Sequence, residues 1–220
     1  MNYDWDFSVV LRSFGMLLEG AVGTLQLAAA ALAFAVPLGL LVALLRLAPS
    51  RWLAGAMTFY VDFLRTSPML VLLFWFYFAF PILIGVETDA FLAALLAIGL
   101  QSAALFSEVF RGGIVSIARG QREAAKALGL GGASTMRYVI LPQAWRRVLP
   151  VFFVQVINLI KATSYAATIA YADLAYAATR VASDTYRPIE TYLLVGAMYC
   201  GAIFLLSQAV RVIEKRQRMN

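Results

Sequence analysis

Three polar residues inside an apolar stretch are the groups in this 220-residue chain best arranged to act on a small charged molecule. Gln155, Asn158 and Lys161 recur at every third position, spread over about 120° of a helix, with Tyr165 on the same face. Lys161 alone breaks the uncharged run from 148 to 172. At about 1.5 Å per residue from Leu149 it lies about 18 Å from the inner membrane edge, beyond the midplane. Polar groups in lipid are costly, so the stripe should face protein or water. An ammonium flanked by two amides attracts a carboxylate and hydrogen-bonds its substituents, which suits a translocation path or a substrate site. The same groups could instead only join packed helices. Gln101 and Ser102, mid-way along another apolar stretch, admit both readings.

Other chemistries are excluded by what the chain lacks. It has no histidine, which removes His-based triads, HExxH zinc sites and His-ligated haem. Cys200 is alone, so disulfides, CxxC redox chemistry and thiolate clusters are absent. No GxxxxGK[ST] occurs to cradle nucleotide phosphates.

The elements that must hold these residues are written for lipid. Residues 20–45, 66–86, 90–107 and 191–210 carry no charged side chain. About 20 such residues match the ~30 Å hydrocarbon thickness. With 62% hydrophobic residues, 14% charged and a mean hydropathy of +0.80, the composition agrees. The expected fold is an all-α membrane protein with five transmembrane helices over approximately 19–46, 60–81, 90–110, 148–171 and 190–213. One polar segment, approximately 111–147, joins the third and fourth spans, and 1–220 forms a single domain. Pro37 and Pro81 are expected to kink or end their helices.

Basic residues gather on the cytoplasmic side of membranes. Arg46, Arg51 and Arg65, then Arg111, Arg119, Arg122, Lys126, Arg137, Arg146 and Arg147, and finally Arg211, Lys215, Arg216 and Arg218 fall on one side. The other side holds Arg12, Arg180 and Arg187 with most of the acids. The N-terminus is therefore expected outside and the C-terminus in the cytoplasm, as an odd number of spans requires. The acidic N-terminus argues against a cleaved leader. Residues 5–18 read either as an amphipathic surface segment or as an extension of the first span. A pI of about 9.7 fits anionic lipid headgroups, and basic residues scattered along helix ends do not suit nucleic acid. Glu108 with Arg111, and Asp62 with Arg65, have the spacing of intrahelical ion pairs.

The polar segment contains Arg119-Gly-Gln-Arg-Glu-Ala-Ala-Lys-Ala-Leu-Gly129-Leu-Gly-Gly132. Residues 121–128 are good helix formers, with Ala124, Ala125 and Leu128 on one side and Gln121, Arg122 and Lys126 on the other. Gly129, Gly131 and Gly132 are expected to end this helix. Ser134 or Thr135 would cap a second short helix, and Pro142 would stop it.

Glu123-Ala124-Ala125, Gly129, Val139 and Leu141-Pro142 resemble the EAA loop of membrane subunits of bacterial ABC importers, with Val139 where isoleucine is usual. Val61–Leu70, Ser107–Ile117, Val139–Ala144 and Thr185–Glu190 extend the resemblance to the polar amino acid permeases. The resemblance implies that Arg119, Arg122, Glu123, Ala124, Ala125, Leu128 and Gly129 form a coupling helix docked on a separate ATPase subunit. It also implies two copies of that ATPase, carrying ATP and Mg, and a second permease subunit, identical or not. It further implies an extracytoplasmic amino-acid-binding protein docked on outer loops at 81–90 and 172–190, and a multi-pass chain in the bacterial cytoplasmic (inner) membrane. Gln101, Ser102, Gln155, Asn158, Lys161, Thr163, Ser164 and Tyr165 would line the substrate path. Family members commonly read Lys-Asp-Thr-Ser where this chain has Lys161-Ala162-Thr163-Ser164. Without that acid a neutral or acidic amino acid is the expected cargo, moved by alternating access by a chain that is not itself catalytic. The rivals are an integral-membrane enzyme, disfavoured because no span holds two carboxylates, and a passive channel or scaffold.

Overall fold

The computed structural model describes residues 3–218, without the side chains of Ala209 and of residues 212–218. Lys215, Arg216 and Arg218 thus fall outside the described side chains. Among the described residues all regular structure is helical. The helices are α1 (Phe7–Arg12), α2 (Phe14–Arg46), α3 (Arg51–Thr66), α4 (Met69–Phe74), α5 (Phe80–Ile84) and α6 (Ala90–Val115). They are followed by α7 (Arg119–Ala127), α8 (Gly132–Thr135), α9 (Leu141–Ala162), α10 (Leu174–Thr185) and α11 (Pro188–Arg218). Four helical stretches are long and apolar enough to cross a bilayer: Phe14–Arg46, Ala90–Val115, Gly132–Ile169 and Pro188–Gln208.

A fifth crossing requires a bent pair. Where one span was expected over 60–81, Arg51–Thr66 and Met69–Ile84 meet at 104°. Pro68 takes an extended ψ of 132° at the break. Proline has no N–H to donate and drives the residue before it out of helical conformation, which ends α3 at Thr66.

Four other prolines lie within helical stretches. Helix α2 continues past Pro37 and α9 past Pro150. Before Pro81 and Pro142 the helix instead widens into a π turn, Trp75–Ala79 and Met136–Ile140. In each case the residue preceding proline donates to the carbonyl five back, Phe80 to Trp75 and Leu141 to Met136. The extra residue in the turn relieves the clash a proline ring makes with the previous turn of a regular helix. Pro142 therefore does not stop the chain: 132–169 runs as one helical stretch of 38 residues. Ser134 and Thr135 lie inside it, and its N-cap is Gly131.

The chain divides into two compact units, the first built from 1–33, 67–100 and 157–209 and the second from 34–66, 101–156 and 210–220. In the first, Val10, Leu17, Leu174, Ala178, Val181 and Val195 form an apolar core. The N-terminal segment is thus a separate short helix, seated through Val10, with Trp5 and Leu11 exposed. Glu190 is wholly buried and holds that segment down. It accepts from the Tyr3 hydroxyl at 2.7 Å, the Asp6 N–H at 3.1 Å and Arg187 at 3.4 Å. Residues 172–190, expected as a loop, contain α10, whose N-cap Asp173 accepts from the Tyr176 N–H at 2.8 Å.

In the second unit α2 and α6 approach closely at Gly39, where a Cβ would stand 2.8 Å from both the Ala103 carbonyl oxygen and the Phe106 Cβ. Phe106, Phe110 and Phe152 pack together beside this contact, with ring centroids 5.2–6.3 Å apart. Gln101 donates to the Leu64 carbonyl at 3.0 Å, tying α6 to α3. Glu108 takes Arg111 at 2.9 Å, as its spacing predicts, and also Arg46 at 2.7 Å. Arg65 reaches the same carboxylate at 3.9 Å rather than pairing along α3 with Asp62.

Candidate functional sites on α7 and α9

Helix α7 begins two residues earlier than the pattern predicts, ends at Ala127 and is closed by Gly129 beyond its C-cap Leu128. At φ +77° Gly129 occupies the left-handed region open to a residue without Cβ. The Gly129 N–H meets the Lys126 carbonyl at 2.9 Å and the Leu130 N–H meets that of Ala125 at 3.0 Å, the paired bonds of a Schellman turn. Gly131 and Gly132 do not share that role: Gly131 is extended and Gly132 opens α8.

The expected apolar side of α7 divides in two. Ala125 is buried within the chain's own fold, whereas Ala124 is exposed and Leu128 is 81% exposed. Arg119, Arg122, Glu123 and Lys126 are all exposed. Arg122 and Lys126 line a cleft of about 300 Å³ with Leu130, Thr135 and Met136. The helix is anchored by side chains from α9: Gln143 donates to Gln121 at 3.1 Å, and Arg147 donates to the Ser116 carbonyl at 2.6 Å. Ile114, Ile117, Ile140 and Ala144 form the apolar floor beneath. The result is an exposed turn of charged residues around one bare leucine.

Along α9 and the 3₁₀ segment Thr163–Ile169, Asn158, Lys161 and Tyr165 are exposed and Gln155 is half-buried. Val151, Val154 and Thr168 are also exposed, and with Asn158, Lys161 and Tyr165 they form a line spaced alternately three and four residues apart, beside Gln155. Such spacing keeps residues on one side of a helix. The two valines were missed because in a hydrophobic helix they look like any lipid-facing residue. Thr163 leaves the line, since it is wholly buried and its hydroxyl donates to the Ile160 carbonyl at 2.7 Å. The Ser164 hydroxyl closes likewise on the Lys161 carbonyl at 2.7 Å. Gln101 and Ser102 are buried within the chain.

An all-helical chain with four or five lipid-length helices is a polytopic membrane protein. The family model described as "Binding-protein-dependent transport system inner membrane component" matches residues 35–219. The probable glutamine ABC transporter permease protein GlnM of Bacillus subtilis is 36% identical over 95% of this chain and 96% of its own length. The glutamine transport system permease protein GlnP of Escherichia coli is 34% identical over the full length of both. A crystal structure of an amino acid ABC transporter with histidines superposes with a TM-score of 0.92 at 31% identity, covering 97% of this chain and all of that one. The chain belongs to this binding-protein-dependent transport family, as an inner-membrane permease of the polar amino acid ABC importers.

Proposed function

We propose that this chain carries a polar amino acid across the cytoplasmic membrane by alternating access, driven by ATP hydrolysed on separate subunits. The observation that carries the reading is α7: a short helix locked by its own glycine turn, projecting Leu128 and four charged side chains. Leu128 exposed to this extent gains by burial in a partner groove, and the charges around it can fix the register. Two ATPase subunits with ATP and Mg, a second permease and an extracytoplasmic binding protein complete the assembly. The exposed seam on α9 supports the second permease, because a helix carrying Asn158 and Lys161 needs protein or water opposite it. Lys161 there suits a substrate carboxylate, and Ala162 in place of an acid favours neutral or acidic cargo. The excess of arginine around Glu108 and on α7 favours a cytoplasmic location for that end, with the N-terminus outside.

Uptake into proteoliposomes, with and without ATP and binding protein, tests the reading. ATP-dependent uptake is expected, and equal uptake without ATP would favour a passive channel. Glu123→Lys is expected to insert normally and to lose at least about 90% of coupled uptake while ATP hydrolysis persists, the scale of about 1.4 kcal/mol in coupling. Lys161→Ala is expected to raise the KM or change substrate preference, and unchanged kinetics would leave it a packing residue.

A further inference from the structure

A second cluster of charge lies in the first unit. Helix α2 and the start of α10 enclose a cleft of about 290 Å³ lined by Met16, Glu19, Asp173, Tyr176 and Arg180. Glu19 and Arg180 are exposed and bear opposite charges, yet neither belongs to an ion pair among the described residues. Two opposite charges facing one cleft without closing on each other leave room for a molecule that carries both signs.

Asp173 lines the same cleft behind Glu19. It is wholly buried, its Oδ1 is taken by the Tyr176 N–H, and its Oδ2, closed to solvent, has no hydrogen-bond partner. Burial pushes this carboxyl up to about 6. The negative end of the cleft is therefore Glu19 with Asp173 behind it, and the positive end is Arg180.

We propose that this cleft binds the backbone of a free α-amino acid, with its carboxylate on Arg180 and its ammonium toward Glu19 and Asp173. The volume is at the small end of ligand pockets and accommodates one such molecule. Arg180 offers the forked donor that a carboxylate takes in two-point contact. Met16 and the Tyr176 ring give the side chain a surface without demanding one chemistry, so the cleft selects for the zwitterion rather than for one amino acid. The site rests on the permease reading and deepens it, as an entry station on the side from which cargo arrives.

The test is equilibrium binding of radiolabelled glutamine, glutamate and arginine to the whole transporter in nanodiscs, without ATP and without binding protein. At least one is expected to bind, and Arg180→Gln and Glu19→Gln should each weaken it about tenfold, equivalent to about 1.4 kcal/mol. Both effects should persist in a Lys161→Ala background, and Arg180→Lys should recover part of the loss. N-acetylated and carboxamide derivatives, each lacking one charge, should fail to compete. No binding of any of the three, or binding indifferent to both substitutions, overturns the site. Because the readout needs no ATP, ATP-driven uptake that survives alongside such indifference would leave the permease reading standing.

Discussion

The two units treat their buried charges in opposite ways. In the second, one carboxylate, Glu108, is shared by Arg46, Arg65 and Arg111, so cations are in excess. In the first, Asp173 and Glu190 are both wholly buried, and only Glu190 has a basic partner, Arg187. The difference teaches that helix ends rich in arginine are fastened by neutralisation, whereas the acid-rich unit relies on hydroxyl and backbone N–H donors from Tyr3, Asp6 and Tyr176. Neutralisation leaves surplus guanidinium on one unit, and donor capping leaves surplus carboxylate on the other.

The sharpest way to break this contrast is Glu108→Gln, which leaves three guanidiniums without their counter-charge. Removing one partner of a buried pair costs about 3–5 kcal/mol, reduced here to about 2–4 because Glu108 retains some solvent contact. A lowered melting temperature of the purified protein, followed by intrinsic fluorescence, is the expected readout. An unchanged melt would mean that the cluster fastens nothing.

Asp173 provides the converse test. Its carboxyl moves from 3.8 to about 6 in the folded chain because burial disfavours the charged form. A raised acid binds its proton more tightly when folded, so its contribution to stability is full below pH 3.8 and is lost as pH climbs through about 6. Asp173→Asn keeps a capping oxygen without the charge, and is expected to flatten the difference in melting temperature between pH 4 and pH 7. Asp173→Ala removes the cap as well and should cost about 1 kcal/mol. If the Asn variant tracks the parent at every pH, the buried charge is not what sets that dependence. Arg65→Ala should have the smallest effect, about 0.2–1 kcal/mol, since its contact is long and half-exposed. A larger loss would make Arg65 an equal partner of Arg46.

The lipid-facing elements were legible because hydrophobic periodicity and the absence of charge are local properties: residues 20–45 lie within α2 and 90–107 within α6. Glu108 with Arg111 was legible for the same reason. Arg46 was not, because it lies 62 positions away and only the packing of α2 on α6 brings it there. Helix α10 stands where a loop is expected, although Asp173 before Leu174-Ala-Tyr-Ala-Ala is a cap signal. The helix at the EAA motif was legible from its alanines and glycines, but the inward turn of Ala125 and outward turn of Leu128 depend on what packs beneath. The cleft at Glu19 and Arg180 was invisible, since nothing in sequence joins two positions on separate helices.

The widened turn at Met136–Ile140 absorbs one residue as well as accommodating Pro142. A π turn spends about five residues where a regular turn spends about four, so the helix beyond it keeps the phase of an α-helix one residue shorter. Losing a single codon there would close the turn and leave Gln143, Arg147 and Lys161 in step with α8, whereas losing two would swing them about 100° out of step. A screen of in-frame deletions across 132–142 would therefore find paired losses more damaging than single ones, at positions where no side chain does any chemistry.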